Sequence, residues 1–187
     1  MTAHAILITL RGNSGSGKST VAAGLRAAYG RGIAILPQDV VRREILRERD
    51  LPDAVNVGLL AAMARHILEQ GVHVVLEGIL YADRYGEAID LLRRGHQGPT
   101  FGWYFKIPYE DTLDRHATKP NSGDWTPEDM RAWYRNEDLL PGGFERIIGP
   151  DSGAEQTVAR ILAETNLLAA PRPPHPGFAE APHKVGA

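Results

Sequence analysis

The residues Gly12-Asn13-Ser14-Gly15-Ser16-Gly17-Lys18-Ser19 place two glycines, a lysine and a hydroxyl at the spacing G-x-x-x-x-G-K-[ST]. Glycine lets successive backbone N–H groups turn inward around an anion, and a helix beginning at Lys18 adds its N-terminal dipole and unpaired amides. A lysine at the sixth step after Gly12 can neutralise β- and γ-phosphates, and the Ser19 hydroxyl can ligate a Mg2+ that bridges them. The predicted nucleotide-contacting set is therefore Gly12, Asn13, Ser14, Gly15, Ser16, Gly17, Lys18, Ser19 and Thr20, with Ser19 as the metal ligand, Lys18 also catalytic, and ATP with Mg2+ as cofactors. A glycine-rich turn without function is the competing reading. An apolar strand directly before the motif and a helix directly after it argue against that.

Such a loop binds nucleotide without saying what is done with it. Asp39 follows the second apolar run and can take a proton from an attacking hydroxyl, or it can merely cap the next helix. Arg42, one turn on, can anchor a substrate anion by paired hydrogen bonds. Glu77 ends the third apolar run, where a carboxylate needs Lys18, a metal or a ligand to offset its burial. Arg115 and Lys119 stand four apart at the edge of a glycine-containing loop, within reach of a transferred phosphoryl group, and Arg115 is the better placed. Arg131 and Arg135 sit one predicted helical turn apart beside Trp133 and Tyr134, facing either an acceptor or the helix packing. The catalytic candidates are Lys18, Asp39 and Arg115, and the substrate-binding candidates are Asp39, Arg42, Glu77, Arg131 and Arg135.

These side chains need a frame. AILITL, the run Ile33–Leu36, VHVVLEG, FGWYFKI and residues 144–148 read as five strands, of which VHVVLEG is continuous enough in apolar residues to be covered on both faces. Between them lie helical patterns: Val21, Ala22, Leu25 and Ala28; a charged helix over VVRREILRERD with Asp39 at its cap; the stripe from Val57 to Leu68 closed by Gly71; residues 83–94; EDTLDRH after Pro108; and SGAEQTVARILAET. Thr126-Pro127-Glu128-Asp129 starts a further helix, which with loop 118–124 would form a mobile cover. Strands alternating with helices require right-handed crossovers, hence a three-layer α/β sandwich with ligands at the strand C-termini.

Composition narrows the class. A chain of 187 residues, 43% hydrophobic, fits one domain, read here as residues 1–168. Residues 171–187 hold five prolines and few large apolar side chains, so 169–187 reads as a disordered tail. The net charge of -2 disfavours a nucleic-acid partner, and the short run Ala5–Leu10 disfavours a membrane span or signal segment. With no cysteine there is no disulfide or thiolate chemistry, and a cytoplasmic location is expected. The partner is then a small molecule; the patterns leave oligomeric state open.

GNSGSGKST, QDVVRRE, VVLEGIL and DRHATK together resemble small-molecule kinases of the P-loop superfamily over most of residues 5–165. The Asp-x-x-Arg spacing of Asp39 and Arg42 is similar to that of adenylylsulfate and polynucleotide kinases, LEGIL to that of uridine kinases, and the general plan to chloramphenicol phosphotransferases and zeta-toxin kinases. This resemblance implies strand order 2-3-1-4-5, a helical lid, Asp39 as base or substrate anchor, Arg115 as stabiliser of the phosphoryl group, and adenine beside Gly149, Pro150 and Asp151. The expected activity is ATP-dependent phosphorylation of a hydroxyl on a nucleoside, sugar or antibiotic. A zeta-toxin-like nucleotide-sugar kinase and a nucleotide-switch ATPase are the alternatives. The acceptor would be set by the loops at 51–56, 81–85 and 121–133, whose shape spacing does not reveal.

Overall fold

The computed structural model describes residues 4–117, 126–174 and 176–178. Five strands, β1 (Leu7–Gly12), β2 (Ile33–Pro37), β3 (His73–Gly78), β4 (Thr100–Phe105) and β5 (Glu145–Ile148), form one parallel sheet in the order β2-β3-β1-β4-β5. Both β1 and β3 are buried along their whole length, as their unbroken apolar runs require of strands sandwiched between helices. Side chains alternate between the two faces of β1. Ile8 and Leu10 pack with Val21, Leu25 and Ile161, under α1 (Lys18–Tyr29) and α6 (Ala154–Thr165). Leu7 packs with Leu60, Ala64, Tyr85 and Ile89, under α2 (Val55–Glu69) and α3 (Ala82–Gly95). The expected three-layer sandwich and its strand order are thus present. All strands run the same way, so Gly12, Pro37, Gly78, Phe105 and Ile148 end on one rim.

Three local expectations change. Tyr29, and not Ala28, closes the buried face of α1, because its hydroxyl finds polar partners inside. After β2 the chain makes only a π-helical turn, Val40–Ile45, with Leu46 N donating to Val41 O across 3.1 Å. The longer charged helix is cut short because Glu48 leaves it to cap α2. Its carboxylate accepts from Val55 N at 2.7 Å and Asn56 N at 2.9 Å, and these bonds, that of the Asn56 side chain first, hold its pKa below the usual carboxylate value. Asp39 makes no side-chain cap.

Helices α4 (Tyr109–Ala117) and α5 (Pro127–Trp133) flank residues 118–125, so Lys119 and the whole of the anticipated lid loop 118–124 lie outside the described residues. At α5 the capping box is present: Thr126 Oγ1 accepts from Asp129 N and Asp129 Oδ2 accepts from Thr126 N. Of the segment 169–187, residues through Pro174 and 176–178 are described, and Arg172 stacks on the Tyr29 ring at 4.0 Å. No described helix is long and apolar enough to cross a membrane.

Candidate active site

The loop from Gly12 to Gly17 fits its frame tightly. Gly12, Gly15 and Gly17 adopt φ of 142°, 76° and 96°, values that side chains other than glycine's strain to reach. A Cβ at Gly15 would also stand 2.4 Å from the Thr112 carbonyl, so α4 presses directly on the loop. Asn13 joins the loop to the chain after α5 by a reciprocal pair: its Nδ2 donates to Arg135 O at 2.6 Å, and Arg135 N donates to its Oδ1 at 2.9 Å. Lys18 is buried, its ammonium donating to Asn13 O at 2.7 Å and Ser16 Oγ at 3.1 Å, which aims it back across the loop it follows.

Glu77 is 6% exposed at the end of β3 and accepts from the Ser19 hydroxyl at 3.1 Å. The burial cost that marked this residue in the sequence is thereby offset by a partner at the first turn of α1. A hydroxyl and a carboxylate in contact form a small, hard, oxygen-only donor set, which fits Mg2+ because that ion keeps most of its waters and takes its other ligands from phosphates.

Beyond the loop lies a cleft of about 450 Å³ whose walls include Ser14, Asp39, Arg42, Arg43, Asp50, Tyr81, Arg84, Trp133 and Arg135. Ser14 places the cleft against the phosphate loop, and Asp39 and Arg42 face it paired with each other at 3.0 Å. Arg115 reaches the mouth of the loop from α4, donating to Ser16 O at 3.2 Å and Pro150 O at 3.3 Å, between the loop and the turn after β5. A larger hollow of about 620 Å³, near His4, Arg65 and His96, lies at the opposite ends of the strands and contains none of the candidate residues.

Arg131 does not join this group. Helix α5 ends at Trp133, so the assumed helical spacing to Arg135 fails; Arg131 stacks on Tyr109 at 3.8 Å and lines a separate groove. Arg135 instead enters the cleft wall from extended chain. It is held by Asp83 at 2.9 Å and Asp138 at 2.8 Å and lies 3.9 Å over the Tyr81 ring. The hydrogen bonds it donates to Asp83, first among its contacts, push its pKa still higher than an arginine's usual value, so its charge is permanent.

Other wall residues were foreseen only as parts of loops: Tyr81 and Arg84 lie within 81–85 and Trp133 ends 121–133, segments expected to shape the acceptor site, while Asp50 stands one residue before 51–56. Asp50, Tyr81, Arg84 and Trp133 have no motif spacing; they meet because the segment before α2, the start of α3 and the end of α5 border one cleft. Arg84 pairs with Asp50 at 3.1 Å, and the Tyr85 hydroxyl lies 2.9 Å from the same carboxylate. Burial above all, then the Asp50 charge, pushes the Tyr85 pKa upward, so the phenol stays protonated. Behind them Arg11 is 0% exposed, bidentate to Glu145 at 2.8 and 2.9 Å, bonded to Asp138 at 3.0 Å, and donating to Leu80 O at 2.8 Å. Leu80 is buried with φ of 47°, so Arg11 helps to hold the strained turn from which Tyr81 and Arg84 project. A charge ending a buried strand was a readable signal for Arg11, the same one that singled out Glu77.

A parallel sheet ordered β2-β3-β1-β4-β5 with a phosphate loop after β1 defines the nucleotide-binding fold of the P-loop kinases. Within it, residues 7–136 match the AAA domain family, and the chain belongs to that family. No curated protein matches its sequence. Among solved structures it is similar to the APS kinase CysC of Mycobacterium tuberculosis in complex with AMPPNP and APS, at 18% identity and TM-score 0.65 over 90% of this chain and 99% of that one. It is similar also to a gluconokinase from Sinorhizobium meliloti 1021 (19%, TM-score 0.62, 89% and 95%) and to a sugar kinase from Janibacter sp. HTCC2649 (20%, TM-score 0.62, 90% and 99%). At these identities the likeness is one of fold.

Proposed function

We propose that this protein is a kinase that transfers the γ-phosphoryl group of ATP to a hydroxyl of a small molecule. The observation that carries the reading is one cleft shared by Ser14 of the phosphate loop and the carboxylate of Asp39. A nucleotide switch has no use for a carboxylate-bearing cleft beside its phosphates; a kinase needs one for its acceptor. The names of the similar structures, an APS kinase, a gluconokinase and a sugar kinase, are in keeping with that.

In the proposed reaction the backbone amides of residues 12–19 and the Lys18 ammonium hold the β- and γ-phosphates. Asp39 accepts the proton of the acceptor hydroxyl as its oxygen bonds to the γ-phosphorus, and the bond from that phosphorus to the β,γ-bridging oxygen breaks, leaving ADP. Lys18 and Arg115, which both donate to the loop, meet the charge that develops on the transferred group. Ser19 and Glu77 would hold Mg2+, which supplies charge neutralisation on the β- and γ-oxygens when bound. Arg42 orients Asp39 through its ion pair, and Arg135 fixes the far wall. Arg131 has no role in this site.

The test is ADP release from Mg-ATP against a panel of nucleosides, aminoglycosides, phenicols, sugars, sugar acids and nucleotide-sugars. Strong stimulation by one class, lost in Asp39→Asn, is the expected result. Slow hydrolysis at one rate with every compound, unchanged in the variant, would point to a nucleotide switch and sink the proposal.

A further inference from the structure

Asn13 keeps its backbone in the phosphate loop but commits its side chain to the chain after α5. It is 4% exposed, and both ends of its amide are used on one residue: Nδ2 donates to Arg135 O at 2.6 Å, and Oδ1 accepts from Arg135 N at 2.9 Å. A backbone N–H can only donate and a carbonyl only accept, so the pair fixes the amide's orientation and the position of the Arg135 backbone together. The same residue is held from within the loop. Asn13 O accepts from the Lys18 ammonium at 2.7 Å and from Ser16 N at 3.3 Å. The loop has little room to yield on either side of it: a Cβ at Gly12 would stand 2.6 Å from the Phe105 carbonyl oxygen, and one at Gly15 2.4 Å from that of Thr112. A change in what Lys18 holds is therefore felt at Asn13 and Ser14, between these two close approaches.

What Arg135 carries is the cleft wall. Its guanidinium lies 3.9 Å over the Tyr81 ring and is bonded to Asp83 and Asp138, and the Tyr81 hydroxyl donates to Trp133 O at 2.6 Å. Trp133, Tyr81 and Arg135 thus close into one unit, and all three line the cleft. This unit is tied by two short bonds to a residue whose carbonyl is held by Lys18. A phosphate oxygen, anionic where Asn13 O is neutral, is the stronger acceptor for that ammonium, so nucleotide and Asn13 O compete for one donor. A ligand shifts a structure only so far as it binds two arrangements differently, and the competition at Lys18 supplies that difference.

Resting on the kinase reading for the ligand of the loop, we propose that Asn13 is a positioning residue that couples the two halves of the site. Phosphates bound at Lys18 shift the Asn13 backbone, and its side chain transmits the shift to Arg135, Tyr81 and Trp133. Nucleotide and acceptor then change each other's affinity by one and the same factor, since coupling between two sites is reciprocal.

Fluorine NMR of the full chain, with fluorotryptophan at its three tryptophans, reads the wall directly, the Trp133 resonance being assigned by its loss in Trp133→Phe. Calorimetry follows Mg-AMPPNP binding in parallel, and the spectra are taken at saturation so that any loss of affinity drops out. Mg-AMPPNP should displace the Trp133 resonance by more than its linewidth in the native chain and by much less in Asn13→Ala. Asn13→Ser, whose single hydroxyl cannot hold Arg135 N and Arg135 O in the same geometry, should fall between the two, and it stands in for Asn13→Ala if that variant does not fold. A Trp133 resonance that stays in place in the native chain would make Asn13 a plain fastening, and a displacement undiminished in the variants would mean that nucleotide reaches the wall by another route. Either result overturns the proposal while leaving the kinase reading, which ADP release tests, where it stands. Failure to bind Mg-AMPPNP at all would remove the nucleotide reading and this proposal together.

Discussion

At the scale of single residues, the site is a set of charges whose partners were chosen by the fold. Lys18 already donates to Asn13 O and Ser16 Oγ, both within the loop that would cradle phosphate, so its ammonium is desolvated and aimed before any nucleotide arrives. Replacing it should therefore cost affinity directly. Lys18→Ala is expected to raise the Kd for Mg-ATP by about tenfold or more, the worth of a hydrogen bond from a charged donor, measured by calorimetry; unchanged binding would contradict the phosphate-loop assignment. Asp39 works differently, since it lines the cleft beyond the loop and is bonded to Arg42. Asp39→Asn should keep ATP binding and lower acceptor-dependent turnover by about 10²–10⁴, the range for removal of a general base. Both residues were singled out by type and position alone. Arg131 was misplaced because spacing was measured along a helix that ends at Trp133.

At the scale of elements, β1 does more than lead into the phosphate loop. Its last side chain before Gly12, Arg11, ties the β3–α3 turn through Leu80, β5 through Glu145 and the chain after α5 through Asp138. Asp138 in turn accepts from Ala82 N at the start of α3 and from Arg135 in the cleft wall. The β3–α3 turn and the stretch from Asp138 to β5, far apart in sequence, are registered on β1 by this one guanidinium. Burial and the Asp138 charge raise the neighbouring Tyr104 hydroxyl to about 12, keeping it neutral beside the network. Arg11→Met leaves Glu145 buried without its cation, and breaking such a pair costs about 3–5 kcal/mol. Urea denaturation should show that loss, and a decrease below about 1 kcal/mol would mean that the network is dispensable to the fold. The shortened segment after β2 follows the same logic. Glu48 satisfies the orphan amides of α2, and that tertiary bond outweighs local helix propensity.

Across the whole molecule, a second buried relay lies at the rim opposite the cleft. Ile6 N donates to His73 Nδ1 at 2.8 Å, which leaves the proton on Nε2 to donate to the Tyr29 hydroxyl at 2.9 Å, and that hydroxyl donates to Pro171 O at 3.1 Å. The relay joins β1, β3, α1 and the proline-rich segment, where Arg172 bonds to Tyr29 O and Arg31 O. Burial chiefly, and the Arg172 charge in lesser part, lower the His73 pKa below its usual value. A depressed histidine pKa means that the unfolded chain takes up the proton first as pH falls. The contribution is therefore complete above about 6.5 and is lost below it, at no more than about 1.4 kcal/mol per pH unit for one proton. Urea midpoints between pH 7.5 and 5.5 should fall in the native chain and fall less in His73→Gln. Equal slopes in the two proteins would remove His73 as the cause.

The sequence by itself determined the sheet, its flanking helices and the phosphate loop, because each rests on local chemistry: apolar runs that must be covered, glycines that permit positive φ, and a lysine and serine at fixed steps after them. It also marked Glu77, since a charge ending a buried strand requires a partner, and the same argument was available for Arg11. Only the tertiary structure decided what stands opposite the loop. Asp50, Tyr81, Arg84 and Trp133 come from three separate stretches of chain and share a cleft only because the segment before α2, the start of α3 and the end of α5 meet there. Arg135 belongs with them for the same reason, and Arg131 does not. The phosphate loop uses backbone and near neighbours, so it is written locally. The cleft opposite it is built of side chains brought together by packing, and no periodicity or spacing encodes that convergence.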